Sequence, residues 1–185
     1  KVPLTTKFPF DRAAKFYIAG HRGMVGSAIW REAERQGFTK LVGRTSAELD
    51  LRSRSAVFEF FASEQPKYVV LAAAKVGGIL ENDRFPVDFL SENLQIQVNV
   101  MDAALEHGVE RLLFMGSSCI YPKFALQPIT EDSLMTGHLE TTNDAYVINS
   151  RSAHSAFCSL SEQWCPNVIS TGRGAPMGCW SGISR

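Results

Sequence analysis

No stretch of this chain approaches the roughly 20 consecutive apolar residues that a membrane-crossing helix requires. Charge of one sign is equally missing: lysine plus arginine number 19, aspartate plus glutamate 19, and the pI is about 7.1. That balance gives no footing to a polyanion such as nucleic acid, and no run of like charge forms a tail. Neither nucleic acid nor membrane is therefore expected as a partner. Cysteine is sparse, with four residues and no C-x-x-C pair. Cys119 stands alone, while Cys158, Cys165 and Cys179 gather toward the C-terminus. His154 with Cys158 offers too few ligands for zinc, so no metal is expected. Free thiols suit a cytoplasmic protein better than a disulfide framework does. Internal repeats are absent.

What is present is an ordinary globular composition, 45% hydrophobic and 21% charged over 185 residues. That length supports one well-buried domain with little room for a second. Lys7, Pro9 and Asp11 interrupt the apolar residues of the first fourteen, which read as a disordered leader and not as a signal peptide. From residue 15 onward, strand and helix signals alternate. Lys15–Ala19 is a short apolar run ended by glycine, as a buried strand would be. Residues 24–36 carry Val25, Ala28, Ile29 and Ala33 at helical spacing, with Gly37 as the stop. Leu41-Val42 is a brief second strand. Residues 54–62 place Val57, Phe58 and Phe61 on one helical face, capped by Ser53 or Ser55. A third strand covers 67–73, a long helix 87–107, and a fourth strand 111–115. Strands joined by helical crossovers pair in parallel, which predicts an α/β fold, a Rossmann-like doubly wound sheet. Its ligand crevice lies at the carboxyl ends of the strands.

Three segments fall at those ends: Gly20–Gly26, Ala72–Lys75 and Gly116–Cys119. In the first, Gly20 permits a sharp turn and Gly23 lets backbone approach a pyrophosphate. Gly26 lets the following helix pack closely with its N-terminal amides facing the phosphates. The second strand ends in Gly43-Arg44, where an NAD enzyme would place a carboxylate for the ribose hydroxyls. With Arg22 in the glycine loop, two guanidiniums meet at the corner where a 2′-phosphate would sit, which favours NADP over NAD.

The strings Ala19–Ile29, Leu71–Ile79 and Leu112–Lys123 resemble the GDP-L-fucose synthase family of the extended short-chain dehydrogenase/reductases, from about Phe16 to Tyr146. The resemblance implies an NADPH-dependent 3,5-epimerase/4-reductase acting on a GDP-linked keto-deoxy sugar, GDP-4-keto-6-deoxy-D-mannose, to give GDP-L-fucose. It also implies a homodimer in the intact family. It assigns Gly20, Arg22, Gly23, Met24, Val25, Gly26, Arg44, Asp50, Leu51, Ala72, Ala73, Ala74 and Gly116 to the cofactor. Tyr146 becomes the general acid, Ser117 the second hydrogen-bonding group on the carbonyl and Cys119 the base of epimerisation. Hydride delivery builds alkoxide character at the ketone oxygen, which is why a proton donor and a hydrogen-bond donor must meet there. Tyr121, Pro122 and Lys123 either line a sugar pocket or form a structural turn. Asn93 and Asn99, on the long helix, read as solvated or capping groups.

Two features depart from that family. Where its tyrosine is followed four residues later by lysine, this chain has Ser150. Serine cannot supply the positive charge that favours the phenolate. Beyond about Val147 the composition turns to serine, glycine, cysteine and tryptophan without periodicity. Residues 148–185 are accordingly expected to be an irregular tail unlike the family, of the kind a frame change or alternative exon produces. The expected organisation is an incomplete NADP-binding domain over 15–147 with the substrate domain absent, and little or no turnover. The alternative function is a non-catalytic NADP-binding remnant or partner of a full-length enzyme. A UDP-hexose epimerase fits less well, since it would hold NAD and have no use for a base at Cys119.

Overall fold

A computed structural model describes residues 10–77, 79–116 and 120–138. Four parallel strands, β1 (Lys15–Ala19), β2 (Lys40–Val42), β3 (Tyr68–Leu71) and β4 (Arg111–Phe114), form one sheet in the order β2-β1-β3-β4. The helices between them are α1 (Met24–Arg35), α2 (Arg54–Glu64), α3 (Ile79–Arg84) and α4 (Pro86–Glu106). The doubly wound α/β reading is therefore correct.

β1 and β3 are buried on both faces, as strands under helical crossovers should be. Side chains alternate across the sheet. Tyr17, Ala19, Val69 and Leu71 turn to one face, where they meet Val57, Phe60 and Phe61 of α2 and Val100, Ala103 and Ala104 of α4. Ile18 and Val70, aligned in register, point the other way and are equally buried. Ser53 caps α2 by accepting from the Ala56 amide at 3.4 Å. Gln65 ends that helix in the left-handed conformation at φ 47°, a position where glycine is the usual choice.

Residues 10–14 correct the reading of the first fourteen as a disordered leader. Phe10 packs edge-on against Phe38 and Tyr68, and the Asp11 amide donates to the Tyr68 hydroxyl at 3.0 Å. Aromatic pairing outweighs the polar interruptions that made this stretch look unstructured. A six-residue helix, α3, was missed by the sequence reading, and it carries no apolar stripe long enough to register. No helix of the described residues is long and apolar enough to cross a membrane.

Candidate dinucleotide crevice

From β1 the chain moves to β2 on one side, then crosses back to β3 on the other. The carboxyl ends of β1 and β3 therefore flank the point where the winding reverses, which is where such sheets bind ligands. Gly20 leaves β1 at φ +81°. A Cβ there would lie 2.8 Å from the backbone of Ala72 and Ala73, so both a positive φ and lack of space require glycine. The loops after β1 and β3 thus touch backbone to backbone. At Gly26, already inside α1, a Cβ would fall 2.1 Å from the Gly20 carbonyl oxygen. This close approach brings the first turn of α1 against the end of β1, as the third glycine of the loop was expected to do. Gly23 is different. A Cβ would meet the Gly20 oxygen at 3.3 Å, so that backbone would have to yield by a few tenths of an ångström, and its φ of −72° suits any residue.

Gly23 is also the N-cap of α1, and no side chain caps that helix or places an acid in its first turn. Its amides and the positive end of its dipole suit an anion. Beside them, Arg22, Met24 and Val25 are exposed, Met24 to 87%.

Arg44 follows β2, as expected, but its guanidinium is engaged. Nη2 donates to Glu64 Oε1 at 2.7 Å, Nη1 donates to the Gly43 carbonyl at 3.0 Å, and the group lies over the Phe60 ring. Nearby, burial pushes the Tyr17 hydroxyl above its ordinary range, and the Arg44 charge only partly opposes this. The His21 ring packs 5.5 Å from Trp30 and against Gly43, where a Cβ would come within 2.6 Å of the imidazole. Sequence reasoning had no means of finding that contact.

Asp50 and Leu51 stand in the loop after β2. The Asp50 carboxylate receives bonds from the Arg52 side chain and backbone, which hold it below its ordinary value. Leu51 packs against the core, and its carbonyl accepts from Asn99 Nδ2 at 3.0 Å. Ala72 and Ala73 are half-buried, whereas Ala74 and Gly116 are exposed. Ser117, Cys119 and Tyr146 lie outside the described residues. At Tyr121–Lys123 the backbone turns, with Ala125 N to Pro122 O at 3.1 Å and Lys123 N to His138 O at 3.0 Å.

Of the two readings of Asn93 and Asn99, solvated or capping groups, the solvated one is overturned: both are buried and bond to loop backbone. Asn93 is 1% exposed. Its Oδ1 accepts from the Lys75 amide at 2.7 Å and its Nδ2 donates to the Lys75 carbonyl at 3.0 Å. Asn99, also buried, donates to both Leu51 and Arg52 carbonyls. Glu92 links the same two loops, pairing with Lys75 and with Arg52, and hydrogen bonding from Lys75, its main cause, lowers the pKa of this carboxyl. One helix therefore holds the loops after β2 and β3. The signal was in the sequence: Asn93 follows Phe89 by four positions and precedes Val100 by seven, on the inward stripe of α4. A polar residue there has to be paired.

Comparison with known proteins agrees with this geometry. The model of the NAD dependent epimerase/dehydratase family matches residues 16–171. That match runs past residue 147, where the sequence reading ended the resemblance. A putative GDP-L-fucose synthase 2 of Arabidopsis thaliana is 61% identical over 141 residues, covering 76% of this chain and 43% of the relative. The chain thus spans less than half the length of that relative. Among solved structures, a GDP-mannoheptose C4 reductase from Campylobacter jejuni with NADP bound is 35% identical. Its TM-score is 0.80, and the match covers 84% of this chain and 49% of that one. A GDP-L-fucose synthetase from Naegleria fowleri bound to NADP is 26% identical, with a TM-score of 0.72, covering 84% and 52%. With the glycine interlock at the reversal of the sheet and a family match across most of its length, the chain belongs to the NAD dependent epimerase/dehydratase family, where its likeness is to the GDP-L-fucose synthases.

Proposed function

We propose that this chain carries the NADPH-binding half of an epimerase-reductase that converts GDP-4-keto-6-deoxy-D-mannose to GDP-L-fucose. The observation that carries this reading is 61% identity to a putative GDP-L-fucose synthase over 141 residues, 76% of this chain. The glycine loop would receive the pyrophosphate on the amides of α1, with Arg22 and Arg44 serving the 2′-phosphate. The loop after β3, held by Asn93, would support the nicotinamide side. The cofactor supplies hydride to the C4 ketone. Before that reduction, Cys119 would remove the protons that the ketone activates; Tyr146 would then give the proton to the developing alkoxide, with Ser117 hydrogen-bonded to the same oxygen. The acid that partners Cys119 in this design is a histidine further along, and His154, the one histidine after Tyr146, lies too close to it in sequence to take that part. Free thiols and a neutral charge suit the cytoplasm. The outward side of α4 exposes Val87, Val98 and Leu105 to 72%, 50% and 47%, which supports a homodimer; a single monomeric species on sedimentation would refute it.

Ser150 favours a second reading, in which the cofactor binds and little reduction follows. Both are tested by titrating the chain with NADPH and NADH, then supplying the keto sugar. Saturable binding that prefers NADPH is the expected result, and NADPH consumed on addition of the keto sugar would favour the first reading over the second. Preference for NADH, or no binding, would remove the reading.

A further inference from the structure

The NADP reading needs Arg44 at the 2′-phosphate, yet its guanidinium is drawn elsewhere. Arg44 follows the carboxyl end of β2, level with the end of β1 where the glycine loop begins. Glu64 ends α2 and divides its carboxylate between two cations. Oε1 takes Arg44 at 2.7 Å, and Oε2 takes Lys15 at 2.9 Å. Lys15 opens β1, at the opposite end of the strand. A group in contact with Lys15 therefore pulls Arg44 back along the sheet, over Phe60 and away from the crevice.

We propose that Glu64 is a positioning residue for cofactor choice: it holds Arg44 withdrawn and competes with the 2′-phosphate of NADP for the guanidinium. The proposal rests on the NADP reading above. Glu64 keeps Lys15 when Arg44 departs, so the exchange leaves no carboxylate unpaired. The Arg44 and Glu64 side chains are 37% and 22% exposed, so the pair is partly hydrated and of modest strength. A phosphate offers the planar fork paired, charge-assisted bonds and outcompetes a single carboxylate oxygen. NADPH thus binds at the cost of one ion pair, whereas NADH leaves that pair intact.

The test uses Glu64→Gln in the full chain, an isosteric change that removes the charge. NADPH affinity should tighten about three- to fivefold, the worth of one partly exposed pair, while NADH affinity stays unchanged. Adenosine 2′,5′-bisphosphate should follow NADPH, and 5′-AMP should follow NADH. In an Arg44→Ala background the same substitution should leave the NADPH-to-NADH ratio where it was. Lys15→Met, which leaves Glu64 to Arg44 alone, should weaken NADPH, and this opposite sign serves if the glutamine variant does not fold. A purely structural role would shift the melting temperature and both cofactors together, leaving the ratio fixed and overturning the proposal. Weaker NADPH binding in Glu64→Gln would overturn it too, since Glu64 would then present Arg44 and not withhold it. Absence of NADPH binding in the unsubstituted chain would instead remove the NADP reading, and this proposal with it.

Discussion

At the amino ends of the strands, Phe10, Phe16, Phe38 and Tyr68 meet edge to face at centroid separations of 5.2 to 6.2 Å, with the Arg111 guanidinium 4.2 Å from the Phe10 ring centre. At the carboxyl ends of the same strands there are glycines, alanines and backbone, tied from behind by Asn93, Asn99 and Glu92. One end is closed by side chains packing on one another, the other kept open by side chains that hold backbone in place. Stability can therefore be taken from the aromatic cluster without cost to the ligand, whereas the second end couples fold and binding residue by residue.

The sharpest break should come from Gly26→Ala. With the added methyl 2.1 Å from the Gly20 oxygen, α1 must move off β1, at a cost of about 3 kcal/mol. Thermal melts should show the loss, and NADPH binding should vanish with it. Asn93→Ala comes next, leaving the part-buried Lys75 amide and carbonyl without their Asn93 partner for about 2 kcal/mol, with weaker NADPH binding in a fluorescence titration. Gly23→Ala separates the two properties. The melt should fall less than for Gly26→Ala, while NADPH affinity falls about tenfold because backbone can no longer approach the pyrophosphate. From the closed end, Tyr68→Phe removes the acceptor for the Asp11 amide and should cost about 1 kcal/mol. Its NADPH affinity should equal the parent's; a change there would break the comparison.

Acid gives the smallest test. Asp50 and Glu92 are held below their ordinary values of 3.8 and 4.5 by Arg52 and Lys75. Their contribution is complete above those values and is lost as pH falls through the lower folded ones. Below about pH 4.5 the open end should loosen first. The affinity for NADP⁺, which tolerates acid, should drop while the near-ultraviolet signal of the aromatic end persists. Parallel loss of both signals would contradict the contrast drawn above.

Legibility in the sequence followed the same division. β1 was read with its observed limits, and α1, α2, α4 and β4 were each placed within two residues of theirs, because apolar period and glycine stops are local signals. The third strand was read too long at both ends, at 67–73 against Tyr68–Leu71, since alanines after a strand look apolar whether or not they pair. The glycine loop was legible because its spacing encodes its geometry. The Lys75 amide and the carbonyls of Leu51 and Arg52 were not tied to α4 by any local pattern, because Asn93 and Asn99 act across 18 to 48 positions. Nor could the sequence say that Arg44 would turn to Glu64, since both an anion in the crevice and a carboxylate behind it satisfy a guanidinium.

The glycine interlock also governs how a map of tolerated substitutions across Gly20–Gly26 should be interpreted. Intolerance at Gly20 and Gly26 would report assembly of the sheet and is expected even in a variant that has abandoned the cofactor. Intolerance at Gly23 alone would report continuing selection for a bound dinucleotide. In natural variants of this chain, a drifting position 23 between two fixed neighbours would mark a fold kept after its chemistry had been given up.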